Sequence, residues 1–289
     1  MYRIENEKLA VAINSKGGEL DRIYGKHTNL EYLWNGDPAF WNRKSPILFP
    51  IVGQLKDNQY VYNNSTYQLP RHGFARDKQF TCTSQDDRSI TMTLESDSET
   101  LQVYPFLFRL DIEYSISDNS LYVKYVVTNT GSEIMYFSVG GHPAFRVPLE
   151  SNLKYEDYFL DFEKNENAGR WLISKEGLIQ PVSVPVLTNS NKIPITKSLF
   201  ANDALVFKHL SSNIISIKTN ESEHGLDCSF TGFPFMGLWA APNADFVCIE
   251  PWCGIADGTE SNHDITSKEG INMLTPGQQF SRTWSVRCY

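Results

Sequence analysis

The chain has 289 residues, 41% of them hydrophobic and 13% aromatic, and a formal net charge of -8. That content supports a substantial core, and the length allows one large domain or two ordinary ones. The acidic balance argues against nucleic acid as the main partner, because a phosphate backbone calls for a basic surface.

The N-terminus, M-Y-R-I-E-N-E-K-L-A, lacks the charged-then-apolar layout of a signal segment. No run reaches the roughly 18 apolar residues of a membrane span. A soluble, cytoplasmic protein without a membrane partner is expected. The cysteines are Cys82, Cys228, Cys248, Cys253 and Cys288, odd in number and without a C-x-x-C pair. Neither a disulfide framework nor a metal site is indicated.

Strand signals dominate in chain order. Lys8–Asn14 reads K-L-A-V-A-I-N and is followed by Gly17-Gly18. Gln59–Leu69 is rich in Tyr, Val and Thr, with a turn at Asn63-Asn64. Ser89–Leu94 alternates as S-I-T-M-T-L. Phe108–Ile116 and Leu121–Thr128 form a hairpin turned by Asp118-Asn119. Ile214–Thr219, Gly237–Ala241, Phe246–Glu250 and Phe280–Cys288 continue the pattern. Single helical turns are expected at Ser96–Leu101 and Thr196–Leu199, and Asn189–Pro194 reads as polar and irregular. Short strands at regular spacing with turn chemistry between them predict a large antiparallel β-sandwich or barrel, one domain over residues 1–289.

Two segments carry the chemistry. Phe137–Pro148, F-S-V-G-G-H-P-A-F-R-V-P, sets His142 after a glycine pair. Glycines there admit close approach of backbone or ligand, and Pro143 pushes His142 toward an extended conformation. Asp245–Trp252, D-F-V-C-I-E-P-W, sets Glu250 at the end of an apolar run. Pro251 lacks a ladder donor, so the strand is expected to end there or lie at an edge. A histidine and a carboxylate leaving buried strands can exchange protons near neutral pH without a cofactor. Trp252 offers an apolar face for stacking. His72 lies between Arg71 and Arg76 in R-H-G-F-A-R, a composition that binds anions or hydroxyls. Asp203 is a polar residue within F-A-N-D-A-L-V-F, and Lys56 follows G-Q-L. Each also has a structural reading: a satisfied histidine, a strand-end carboxylate, a solvated loop, a cap.

P-I-V-G-Q-L-K-D, R-H-G-F-A-R, G-G-H-P-A-F, F-A-N-D-A-L-V-F and I-E-P-W occur in this order across nearly the whole chain. In this they resemble the aldose 1-epimerases, or galactose mutarotases, and within them the LacX-like branch. The resemblance implies the mutarotase supersandwich with an open sugar cleft. It implies His142 as general acid, Glu250 as general base, His72 beside the reacting oxygens and Asp203 on sugar hydroxyls. Family members carry an arginine in an N-R-I motif. Here Lys56 stands in that region, and Arg71 and Arg76 are the alternatives. The implied partner is a small sugar bound by a monomer or homodimer, a neutral aldohexose in preference to a hexose 6-phosphate. A non-catalytic carbohydrate-binding protein is the reading from another class.

Overall fold

Strands Phe108–Ser117 and Ser120–Asn129 pair antiparallel along their whole length in the computed structural model, which describes residues 1–289. Asp118 turns the hairpin at φ 52°, a left-handed conformation that Asp tolerates better than most residues. The Asn63-Asn64 turn forms in the same way, with φ 47° and 61°, and joins Gln59–Tyr62 to Ser65–Gln68. Two adjacent left-handed residues give the twist that a two-residue hairpin needs.

Fifteen strands form one antiparallel sheet, accompanied by a four-stranded sheet at the N-terminus and two short ribbons. The large sheet folds back on itself. Gly141 abuts the Tyr125 hydroxyl and the Trp284 indole, which come from strands far along the same sheet. Trp284 Nε1 donates to Tyr125 Oη at 2.7 Å, so this buried contact is polar yet satisfied. The N-terminal sheet docks on the hairpin, where Tyr114 Oη donates to the Gly18 carbonyl at 2.6 Å. One apolar cluster of 70 buried residues runs from Ile4 to Cys288.

Four expectations need correction. The first helical turn forms at Thr100–Val103, a few residues later than the sequence suggests. The Asp97 carboxylate accepts from the Thr100 N–H at 2.7 Å and so sets its start. Thr196–Leu199 makes only turns. Asn189–Pro194 is not irregular: it closes a sixteen-residue strand, Ile179–Pro194, that pairs with Tyr158–Ile173. That pairing shifts register at four places and leaves most of the second strand exposed, so no clean alternation marks it. Finally, the strand bearing Glu250 runs on through Pro251 to Cys253 inside the sheet. The Ile249 N–H points at the Pro143 carbonyl. Two residues on, the donor that Pro251 lacks would face the same side, where the neighbouring strand is interrupted.

Candidate active site

That interruption positions the site. Val139–Gly141 and Ala144–Arg146 both pair with Phe246–Cys253, in the same register before and after the break. The shared register puts His142 opposite Glu250, and cross-strand neighbours touch. His142 Nε2 lies 3.2 Å from Glu250 Oε2. On its other side Glu250 pairs with Gly237. The glycines serve packing: a Cβ at Gly237 would come 2.5 Å from the Trp252 ring, and one at Gly140 would come 2.8 Å from it. They admit the Trp252 side chain rather than a ligand.

His142 and Glu250 open onto a cleft of about 470 Å³, within the range of small-molecule sites. Its walls also carry His72, Arg71, Arg76, Asp203 and Trp252, which lie far apart in sequence. Lys56 is not on the wall; its Nζ donates to the Ser261 carbonyl at 3.2 Å. The wall also carries Trp41, Trp239 and Gln54, which no motif in the sequence marks as site residues. Trp41 lies tilted against the His142 ring at 4.9 Å and 31°, while Trp239 meets it edge-on at 5.7 Å and 83°. Trp239 ends a strand that is legible in the sequence. Trp41 sits in the loop D-P-A-F-W, which carries no periodic signal.

Burial decides the charge of the central pair. It disfavours the imidazolium of His142 and pulls its pKa down to about 3. It disfavours the Glu250 carboxylate and pushes that pKa well up, against an opposing pull from the nearby Trp252 indole, with a smaller push from Asp203 and a smaller pull from Arg71. Neither His142 Nδ1 nor Glu250 Oε2 has a hydrogen-bond partner within the chain; the 3.2 Å approach to Nε2 misses hydrogen-bonding geometry. Unpaired buried polar atoms are costly, and clusters of them mark sites poised for a ligand.

His72 is held differently. It stands in the left-handed region at φ 68°, followed by Gly73 at 70°. A Cβ at Gly73 would fall 2.3 Å from the Phe49 carbonyl oxygen, so only glycine fits. The Gly53 N–H donates to His72 Nδ1 at 3.1 Å. A donor on Nδ1 makes that nitrogen the acceptor, so the neutral ring carries its proton on Nε2. Burial, His142 and the nearby arginines all hold the ring neutral. His72 is therefore a fixed N–H donor and a poor general base. Asp203 also has a strained backbone, φ 74°, with Oδ1 accepting from the Ala204 N–H at 2.7 Å. Backbone strain at two cleft residues matches where proteins tend to keep it.

The arginines differ from each other. A Cβ at Gly177 would sit 1.8 Å from an Arg71 guanidinium nitrogen, so the turn between the two long strands packs directly on Arg71. Arg76 donates to the Arg71 carbonyl at 2.8 Å, while its Nε is buried without a partner. Asp77, its nearest acid at 3.9 Å, is taken by Arg43 at 2.6 Å. Neither cleft arginine is neutralised by a close carboxylate.

Residues 1–271 match the family model for aldose 1-epimerase. The chain belongs to the aldose 1-epimerase family. These are isomerases that act on sugars. It is 32% identical to the LacX protein of Lactococcus lactis subsp. lactis, over 98% of this chain and 97% of that one. A galactose mutarotase related enzyme from Lactobacillus acidophilus superposes with a TM-score of 0.95 at 34% identity, over 100% of this chain and 97% of the other. A galactose mutarotase-like protein from Lactobacillus casei superposes with a TM-score of 0.94 at 31% identity, over the full length of both. The fold is thus the galactose mutarotase-like β-sandwich, and no helix in it is long and apolar enough to cross a membrane. In this aldose 1-epimerase family member the interrupted strand at His142–Pro143 is the local device that brings an imidazole and a carboxyl face to face.

Proposed function

We propose that the chain interconverts the α- and β-anomers of an aldohexose by acid–base ring opening and closure. The observation that carries this reading is the buried His142–Glu250 contact at 3.2 Å on a sugar-sized cleft. The continuous core from Ile4 to Cys288 supports treating residues 1–289 as the single domain that does so.

Ring opening takes a proton from the C1 hydroxyl and gives one to the ring oxygen. The number of protons in the site is therefore unchanged, and a pair that holds one proton meets the requirement. Burial places that proton on Glu250 and leaves His142 neutral. A small reorientation that aligns the two groups as a hydrogen bond lets the proton pass to His142 and gives carboxylate and imidazolium. Glu250 then accepts from the C1 hydroxyl as His142 donates to the ring oxygen. Rotation about C1–C2 exposes the other carbonyl face. Closure reverses both transfers, and the pair is ready again. The Nε2–H of His72 supplies a fixed hydrogen bond to a sugar oxygen, and Asp203 accepts from hydroxyls at the mouth. Trp41 and Trp239 shield the imidazole from water, which strengthens every charge interaction inside.

Arg71 and Arg76, both on the cleft wall and neither neutralised by a close carboxylate, support a second reading in which the sugar carries an anionic group. Guanidinium groups bind phosphate and carboxylate in bidentate fashion. Magnetisation-transfer NMR on the anomers of glucose, galactose and glucose 6-phosphate tests both. Enzyme-dependent exchange in the neutral sugars is the expected result. Exchange confined to the phosphate, and lost in Arg76→Ala, selects the second. Binding without exchange for every sugar ends the catalytic reading.

The pH dependence follows from the same burial. For kcat/KM the acid limb belongs to the second protonation of the free pair, near 3 for His142, far below an ordinary histidine. The alkaline limb belongs to loss of the shared proton, above the ordinary carboxylate range. After subtraction of the uncatalysed rate, kcat/KM is expected to show no acid-side fall at the pKa of an ordinary histidine, roughly 6.5, because the His142 pKa lies near 3. An acid-side fall with an apparent pKa near that of a free imidazole would contradict this assignment.

A further inference from the structure

We infer that His142, Cys248 and Glu250 form a three-donor site for a thiophilic divalent cation of the Zn2+ class, and that an ion held there blocks the acid–base pair. One donor atom from each of the three lies within 4.8 Å of the others. Strand geometry makes this convergence specific. Cys248 and Glu250 are two residues apart on one strand and project to the same face. Across the ladder Cys248 pairs with Ala144, and the unchanged register brings His142 opposite Glu250.

The donor set has the chemistry of zinc rather than of a hard cation. Nitrogen, sulfur and one carboxylate oxygen suit a four-coordinate soft or borderline ion, while Ca2+ and Mg2+ require more oxygens. Zinc bond lengths imply donor–donor edges of about 3.3–3.8 Å in a tetrahedron. The 3.2 Å between His142 Nε2 and Glu250 Oε2 matches the shortest of these, whereas the widest separation in the group, up to 4.8 Å, has to close by about 1 Å on binding. Independent support comes from Glu250, only 2% exposed, whose Oε2 lacks a hydrogen-bond partner in the chain. His142 and Glu250 line the cleft, whereas Cys248 is fully buried and off its wall, so an ion would enter past His142 and Glu250, with water from the cleft completing its coordination. On binding, the Cys248 thiol proton and the proton of the pair leave to solvent.

The binding half of this proposal is independent of the proposed reaction; the blocking half rests on it. The test titrates the full chain with Cd2+ and follows thiolate-to-metal charge-transfer absorbance, with Zn2+ calorimetry in parallel. One ion per chain is expected. Cys248→Ala and Cys248→Ser should both lose the absorbance and weaken Zn2+ binding by roughly tenfold or more. Both should keep metal-free turnover, which also reports that they fold. Cys82→Ser, at the one cysteine that is not fully buried, should behave as wild type. Absorbance that survives in both Cys248 variants, or none in wild type at millimolar Cd2+, overturns the site. Binding that leaves turnover unchanged overturns the block. A chain that binds one ion through Cys248 but never exchanges anomers keeps the site and removes the acid–base reading.

Discussion

Glu250→Gln is expected to lower kcat for anomer interconversion by about 10²–10⁴-fold while KM changes by no more than a few-fold, because a positioned acid or base contributes on that scale. The amide keeps the shape of the carboxyl and can still donate and accept hydrogen bonds in the same place. It cannot take the C1 proton. It also removes the one proton that the pair holds, since burial keeps His142 neutral. The loss should therefore appear in turnover rather than in binding. Asp203→Asn provides the contrast. Its side chain is exposed at the mouth, with one oxygen already accepting from Ala204. Its expected effect is chiefly on KM. Progress curves of freshly dissolved α-glucose, followed by polarimetry, give both constants. Near-wild-type kcat in Glu250→Gln, or a kcat collapse in Asp203→Asn instead, would move the base to Asp203.

The sequence was most informative where local chemistry alone decides the structure. The Asn63-Asn64 and Asp118-Asn119 turns follow from residues that accept positive φ, and the hairpin they predict forms residue by residue. The motif residues His72, His142, Asp203 and Glu250 could be named in advance, and the cleft wall brings them together. What was not legible depends on long-range pairing. The strand pair Tyr158–Ile173 and Ile179–Pro194 is held by a shifting ladder, with one strand mostly exposed, so its side chains carry little periodicity. Pro251 looked like a strand end because the sequence does not reveal that its missing donor points into a gap left by the His142 segment. Gly140 looked like a place for ligand approach, yet it is the Trp252 ring that needs the space. Lys56 stood in a motif at the position of an expected sugar contact, but its ammonium turns to Ser261. In each case the deciding partner lies about a hundred residues away or more, or at the far side of a ladder.

Lys268→Met is expected to destabilise the fold by about 3–5 kcal/mol, the cost of breaking a buried ion pair by removing one partner. The Lys268 and Asp257 side chains are 3% and 4% exposed and meet at 2.7 Å. Burial pulls the lysine pKa down and Asp257 opposes it. The pair is held by further hydrogen bonds. Lys268 Nζ also donates to the Ile255 carbonyl at 2.7 Å. The second Asp257 oxygen accepts from the Lys56 N–H at 3.0 Å and the Ser261 hydroxyl at 3.1 Å. Methionine fills the space but leaves Asp257 as a buried, uncompensated carboxylate. The expected drop in Tm is on the order of 6–10 °C for a chain of this size. Lys268→Met with Asp257→Leu should recover part of it, because replacing both charges avoids the orphan. The damage should also reach the cleft. The Asp257 N–H donates to the Gln54 carbonyl at 2.8 Å, and Ala256 packs so closely on Gly53 that a Cβ there would lie 2.5 Å from its own. Gly53 in turn donates to His72 and fixes its tautomer. A raised KM in Lys268→Met, measured well below its Tm, is the sign that this ion pair holds the His72 loop. Unchanged KM with lowered Tm would confine the pair to a stabilising role.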